Sequence, residues 1–284
     1  MMGKTAIIAD STCDLSKELI EQYKITIVPL HILLGEREFR DGAEITPQAI
    51  YSWADENKTT PKTSAPSVAD VAAALQDVLS EADEAVCFCI SETMSSSGEV
   101  MRMTAEELGF SDRVYVIDSQ NLSTGIGLQV IEAAVMAQQG MRGAQIVSEI
   151  EKIRPQVRAS FVVDTLTYLY RGGRCSGLSA MAGSALKLHP LITVKDGNMG
   201  AGKKYRGRMD KVILAYVDDL MPDIRKARPR RIFITHSGCD EKIVNTVKER
   251  LEALHYFDEI LITVAGGVIS SHCGPGTLGV LFIV

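Results

Sequence analysis

Between residues 5 and 140, short β-branched apolar runs alternate with segments of helical period, and this alternation restricts the fold more than any other feature. "TAIIADST", "EAVCFCIS" and "RVYVIDS" read as strands followed by turns. "LSKELIEQYK", "PSVADVAAALQDVLSEA", "SGEVMRMTAEELG" and "TGIGLQVIEAAVMAQQG" read as helices. Ser16 stands near the start of the first, and Thr46 with Pro47 opens another at "ITPQAIYSWADEN". "ITIVPLHILL" reads as one buried strand. Strands separated by helical crossovers pair in parallel with right-handed connections, so the expected class is α/β.

Near residues 154–160 the rhythm changes. "FVVDTL" leads into a loop rich in Gly and Arg, then a small-residue helix, "LSAMAGSALKL", and a strand–turn–strand signal around "VKDGNMGAG". A long helix over "GRMDKVILAYVDDLMPDI" precedes the strand "RRIFITHSG". A length of 284 residues suits two domains. The expected division is an N-terminal parallel-sheet α/β domain, 1–157, and a C-terminal α/β domain with a mixed sheet, 158–284.

No signal pattern opens the chain and no apolar run approaches the roughly 18 residues of a membrane helix, so a cytoplasmic protein is expected. Cys87 and Cys89 are expected on opposite faces of a strand, which suits neither a disulfide nor a zinc clamp. The cysteines are read as buried thiols, and neither metal nor cofactor is expected. A net charge of −6 argues against general binding to nucleic acid or a membrane surface. The charge is uneven, however: residues 152–231 hold 17 Lys and Arg against 6 Asp and Glu. That segment reads either as a docking face for an acidic partner or phosphate, or as a solvated surface.

Catalytic motifs are weak. "GNMGAGKK", residues 197–204, mimics a phosphate-binding loop, but Lys204 stands where a magnesium-holding Ser or Thr is needed, so a hairpin turn explains it better. "GIG" lacks the third glycine of a dinucleotide loop, and no G-x-S-x-G elbow exists. His31, His189 and His255 read as structural. His236 and His272 both follow apolar strands, and His272 opens onto "CGPGTLG", a turn that admits close backbone approach. Hydroxyl-rich segments recur at "ADSTCD", "KTSAPS", "SETMSSSG" and "DSQNLSTG". Each alone reads as a capping loop. Three follow strands of a parallel sheet and should gather at its C-terminal edge, where such sheets bind ligands. "KTSAPS" can join them there, forming an uncharged cup of donors suited to a carboxylate or other small anion.

The order and spacing of "IIADSTCDL", "TSAPS", "VIDSQNLSTGIGLQV", "YLYRGGRCSG", "HPLITVKDGNMG" and "HCGPGTLGV" resemble those of the DegV family of bacterial fatty-acid-binding proteins, across essentially the whole chain. The resemblance implies a long-chain fatty acid between the two domains, its tail buried and its carboxyl group at the hydroxyl-lined end. It also implies a non-catalytic binding subunit of a fatty acid kinase. A separate ATP-binding partner would phosphorylate the held carboxylate to an acyl phosphate for phospholipid synthesis.

Residue by residue, Thr63 stands where the family's carboxylate-binding threonine stands, and Ser95 takes the place of its loop serine. Ser96 replaces a family glycine beside it, and Glu92 replaces a serine. His272 and Arg174 match polar residues near the acid group. Arg174, Lys203, Lys204, Arg206 and Arg208 form the expected docking face for the kinase, and transient contact with a membrane surface stays open. Burial at about 0.8 kcal/mol per CH₂ would give a 16-carbon acid a gross gain on the order of 11 kcal/mol, of which orientation removes several. Two other readings stand beside this one: a lipid or small-molecule sensor without a kinase, and a self-sufficient hydrolase using Ser95 or His272.

Overall fold

The computed structural model describes residues 3–176 and 188–284. The chain opens with β1 (Thr5–Asp10), α1 (Lys17–Tyr23), β2 (Ile25–Val28), β3 (His31–Leu34) and β4 (Arg37–Arg40). It continues through α2 (Pro47–Asn57), β5 (Lys62–Ser64), α3 (Val68–Glu81), β6 (Glu84–Cys89), α4 (Ser97–Glu107), β7 (Val114–Asp118), α5 (Thr124–Gln138) and α6 (Gly143–Ile153). The second half holds β8 (Val157–Val162), α7 (Thr167–Gly172), β9 (Cys175–Ser176), β10 (Leu188–Lys195), β11 (Asn198–Arg206) and α8 (Met209–Ile224). Then come β12 (Arg231–Ser237), α9 (Glu241–Glu252), β13 (Glu259–Val264), α10 (Gly267–Cys273) and β14 (Thr277–Ile283).

The fold is α/β, as the alternation implies. Strands β2-β1-β6-β7 form a parallel sheet, and β13-β12-β14-β8-β10-β11-β9 form a mixed seven-stranded one. The sheets change over between β7 and β8, where we propose the domain division. Side-chain oxygens of Ser16, Thr46 and Ser67 accept from backbone N–H groups of the first turns of α1, α2 and α3, fixing where each helix begins. Helix α5 packs between both sheets and is buried on nearly every side, which explains its apolar circumference.

Three expectations are corrected. "ITIVPLHILL" is two strands in two sheets: β2 pairs with β1, while β3 pairs antiparallel with β4 and β5. Pro29, which has no N–H for a ladder and forces an extended predecessor, separates them. Next, Cys87 and Cys89 share a face, packing with Ala85 toward α3 and α4, while Val86 and Phe88 face the other core. Side chains two residues apart in a strand project the same way. Finally, the loop after "FVVDTL" contains the short helix α7. The helix expected over "LSAMAGSALKL" lies outside the described residues, except for Leu188, which begins β10. The look-alike phosphate loop is a β10–β11 hairpin.

Candidate functional site

Because β1, β6 and β7 run in parallel, the loops after them meet at one sheet edge. The antiparallel β3–β4–β5 unit brings Thr63 to the same place. From the other half come α7, β11 and α10. Together they enclose a cavity of about 270 Å³. Its apolar wall includes Leu30, Ile90, Leu122, Leu169, Met199 and Ile269, and its polar lining includes Thr63, Ser95, Ser96, Arg174 and His272. A cavity of about 30 Å³ adjoins it through the shared residues Leu122, Ile269 and Cys273, and is lined by Phe161 and Leu281.

His272 sits in the last turn of α10, with Nε2 2.8 Å from Thr63 Oγ1. Burial, helped by the Arg174 charge, pushes its pKa down to about 4, so the ring is neutral near pH 7. Its Nδ1 is buried and finds no partner among the described residues. Either atom can donate across that contact, and with the ring proton on Nε2 the Thr63 hydroxyl accepts. In that tautomer the threonine keeps its own hydroxyl proton for a ligand. Gly172 is required beside this ring: a Cβ at that position would lie 2.4 Å from Nδ1.

Ser95 is arranged in the same way. Its Oγ accepts from the Ser97 N–H at 3.3 Å and lies 2.8 Å from the Ser97 hydroxyl. With both Ser97 groups donating, the Ser95 hydroxyl proton is also left for a ligand. Ser96, the residue before α4, makes no side-chain cap. Glu92 pairs with Arg102, away from the cavity. Arg174 donates from Nη1 to Gly172 O at 2.6 Å and supplies positive charge at the cavity.

Five of the expected residues thus line one cavity. Arg206 does not: it is exposed at the far end of β11, opposite Leu188. Lys203 and Arg208 pair with Asp219 and Asp210. His236 follows Ile232 and Ile234 in the alternation of β12, and it contributes to the lining of the smaller cavity. His189 lies between the carbonyls of Val163 and Gly207, at 3.2 and 3.1 Å.

Ser97 and Asp41 escaped the sequence reading, which placed Asp10 and Asp14 near the cup. Ser97 was visible only as one serine of a polar run. A buried trio of carboxylates, Asp10, Asp14 and Asp41, lies beneath the cup. Asp14 accepts from Gly266 N–H at 2.8 Å and Ser123 Oγ at 2.5 Å; Asp41 accepts from Gly267 N–H at 2.7 Å and Ser11 Oγ at 2.8 Å. Both hold the start of α10. Burial pushes Asp10 up to about 6, Asp14 up to about 8, and Asp41 upward as well. No local pattern marks Asp41, which reaches α10 across more than two hundred residues.

The model of the DegV family matches residues 4–284. The chain belongs to the DegV family. A DegV domain-containing protein of Deinococcus radiodurans is 35% identical over 280 residues, covering 97% of this chain and 96% of that one. A DegV family structure from Thermus thermophilus, reported for its fatty acid binding, has a TM-score of 0.89 at 32% identity, covering 99% of each chain. A stearic-acid-binding protein from Eubacterium ventriosum has a TM-score of 0.83 at 28% identity, covering 98% of each chain.

Among the described residues no helix is long and apolar enough to cross a membrane.

Proposed function

We propose that this DegV family protein binds a long-chain fatty acid and presents its carboxylate to a separate ATP-dependent kinase. The carrying observation is the pair of hydroxyls at one apolar cavity, Thr63 beside His272 Nε2 and Ser95 accepting from the Ser97 N–H. Such hydroxyls suit a carboxylate, which only accepts, through charge-assisted hydrogen bonds. Ser96 and His272 complete the head site, and Arg174 adds charge. Leu30, Ile90, Leu122 and Ile269 suit the acyl tail, with the neck at Cys273 leading toward Phe161. The fatty-acid-binding relatives support the same ligand class.

In the proposed reaction a carboxylate oxygen attacks the γ-phosphorus of ATP bound by the partner. The bond from that phosphorus to the β–γ bridging oxygen breaks, leaving ADP and an acyl phosphate for phospholipid synthesis in the cytoplasm. This chain's part is to hold the oxygen in place, and Arg174, which lines the cavity, belongs to the face that meets the kinase. A serine hydrolase is less well supported, because the hydrogen-bonding neighbour of Ser95 is Ser97, and His272 faces Thr63 rather than Ser95. The nucleophile would lack its base. Organic extraction of purified protein followed by mass spectrometry should yield stoichiometric long-chain fatty acid. Recovery of only water-soluble metabolites would sink the reading.

A further inference from the structure

The loop that bears Ser95 is tied, at its beginning, to the tip of the β10–β11 hairpin. Ser91 is fully buried, and its Oγ donates to Gly197 O at 2.7 Å. Thr93 Oγ1 donates to the same oxygen at 2.5 Å. One carbonyl oxygen has two lone pairs, and here both are used. Ser91 is also the hub of its own loop: its N–H donates to Asn121 O at 2.9 Å, and its carbonyl accepts from Met94 N–H at 2.8 Å and Ser95 N–H at 3.2 Å. Wherever Ser91 sits, the backbone of Ser95 follows.

The hairpin tip is a stiff anchor. Lys195 pairs with Asn198 across a two-residue turn, Asp196–Gly197, with φ of 48° and 79°. Positive φ at both central residues is the conformation that matches strand twist in a tight hairpin. A Cβ on Gly197 would lie 2.7 Å from Ser91 Oγ, so the close approach itself requires glycine. From this turn β11 runs to Met199 in the cavity wall, and Met199 pairs with Cys175, the neighbour of Arg174. The Gly197 carbonyl therefore couples the loop holding Ser95 to the strand that sets the opposite wall and the cationic lining.

We propose that Ser91 and Thr93 are positioning residues for the carboxylate. Neither lines the cavity. Through the Gly197 carbonyl they hold the loop in the one arrangement that directs the Ser95 hydroxyl at the ligand head. This inference rests on the fatty-acid reading of the site.

The test compares palmitate with hexadecanol, which shares the tail and lacks the carboxylate, on delipidated protein. Dissociation constants are measured for wild type, Ser91→Ala, Thr93→Val and Thr93→Ser. Wild type should prefer the acid. Ser91→Ala and Thr93→Val should each reduce that preference roughly fivefold, the scale of one lost hydrogen bond, with alcohol affinity held within about twofold. Thr93→Ser, which keeps the hydroxyl, should restore it. Thr93 is at the surface, so its variants test the idea even where the buried Ser91→Ala fails to fold. A preference unchanged in Thr93→Val, or acid and alcohol weakening in parallel, overturns the positioning role alone. A wild type without preference for the acid overturns the fatty-acid reading, and this inference with it.

Discussion

Helix α10 is held by polar contacts at both ends, and the two ends differ in what they leave over. At its start, Asp14 and Asp41 are buried and each carboxyl oxygen has a hydrogen-bond partner within the chain. At its end, Thr63 meets His272 Nε2, and nearby Ser95 accepts from the Ser97 N–H; both hydroxyls line the cavity and can still reach a ligand. One end is complete and the other is not. Polarity therefore does not mark the ligand site; unused hydrogen-bonding capacity beside an apolar cavity does. The completed end should govern stability, and the incomplete end should govern binding.

The largest expected effect lies at the completed end. Asp14 is raised from 3.8 to about 8 by burial, opposed by Ser123 and the Gly266 N–H and assisted by the charges of Asp41 and Asp10. As pH rises, the unfolded chain releases this proton first, so stability is full below about 4 and is lost progressively up to about 8. Asp14→Asn keeps an acceptor for Gly266, and should remove on the order of several kcal/mol of that pH dependence. Some slope up to about pH 6 should remain, because Asp10 is raised in the same direction. Denaturant midpoints at pH 5, 6.5 and 8 measure it; a variant with the wild-type slope would show that Asp14 is ionised in the folded protein throughout. Fatty acid affinity at fixed pH should not change.

The incomplete end should behave in the reverse way. Thr63→Val and Ser95→Ala each remove one charge-assisted hydrogen bond, worth roughly 1.5–3 kcal/mol, or about ten- to a hundredfold in dissociation constant. Without ligand each variant should lose about 1 kcal/mol of stability, less than it loses in binding, because His272 or Ser97 is left without that hydrogen-bond partner. If Thr63→Val destabilised the empty protein as strongly as it weakened binding, the distinction between the two ends of α10 would collapse.

A smaller effect tests where the tail lies. Cys273 is buried at the neck between the two cavities, and burial pushes its thiol up to about 12, so it behaves as a small apolar group. Cys273→Phe should close the neck and penalise the longest acids most, by about 0.8 kcal/mol for each methylene excluded. Dissociation constants across a series of saturated acids would reveal it as a shift of the optimum to shorter chains. An unchanged optimum would place the tail elsewhere.

Much of this protein is local and therefore readable from its sequence. Ser16 and Thr46 mark helix starts because a capping oxygen reaches an N–H three residues on, within the span that a pattern covers. The alternation of strands and helices implies a parallel sheet, and with it the gathering of hydroxyl-rich loops at one edge. The Asp196–Gly197 turn is likewise visible as a hairpin signal. Tertiary structure decided the rest. Pro29 divides an apolar run between two sheets, although nothing in the run itself says which partner each half takes. Thr63 meets His272, Asp41 meets Gly267 and Ser91 meets Gly197 only after long loops close. Contacts of that separation leave no period in the sequence, since they are selected by the packing of whole layers around α5 and α10 rather than by the preferences of neighbouring residues.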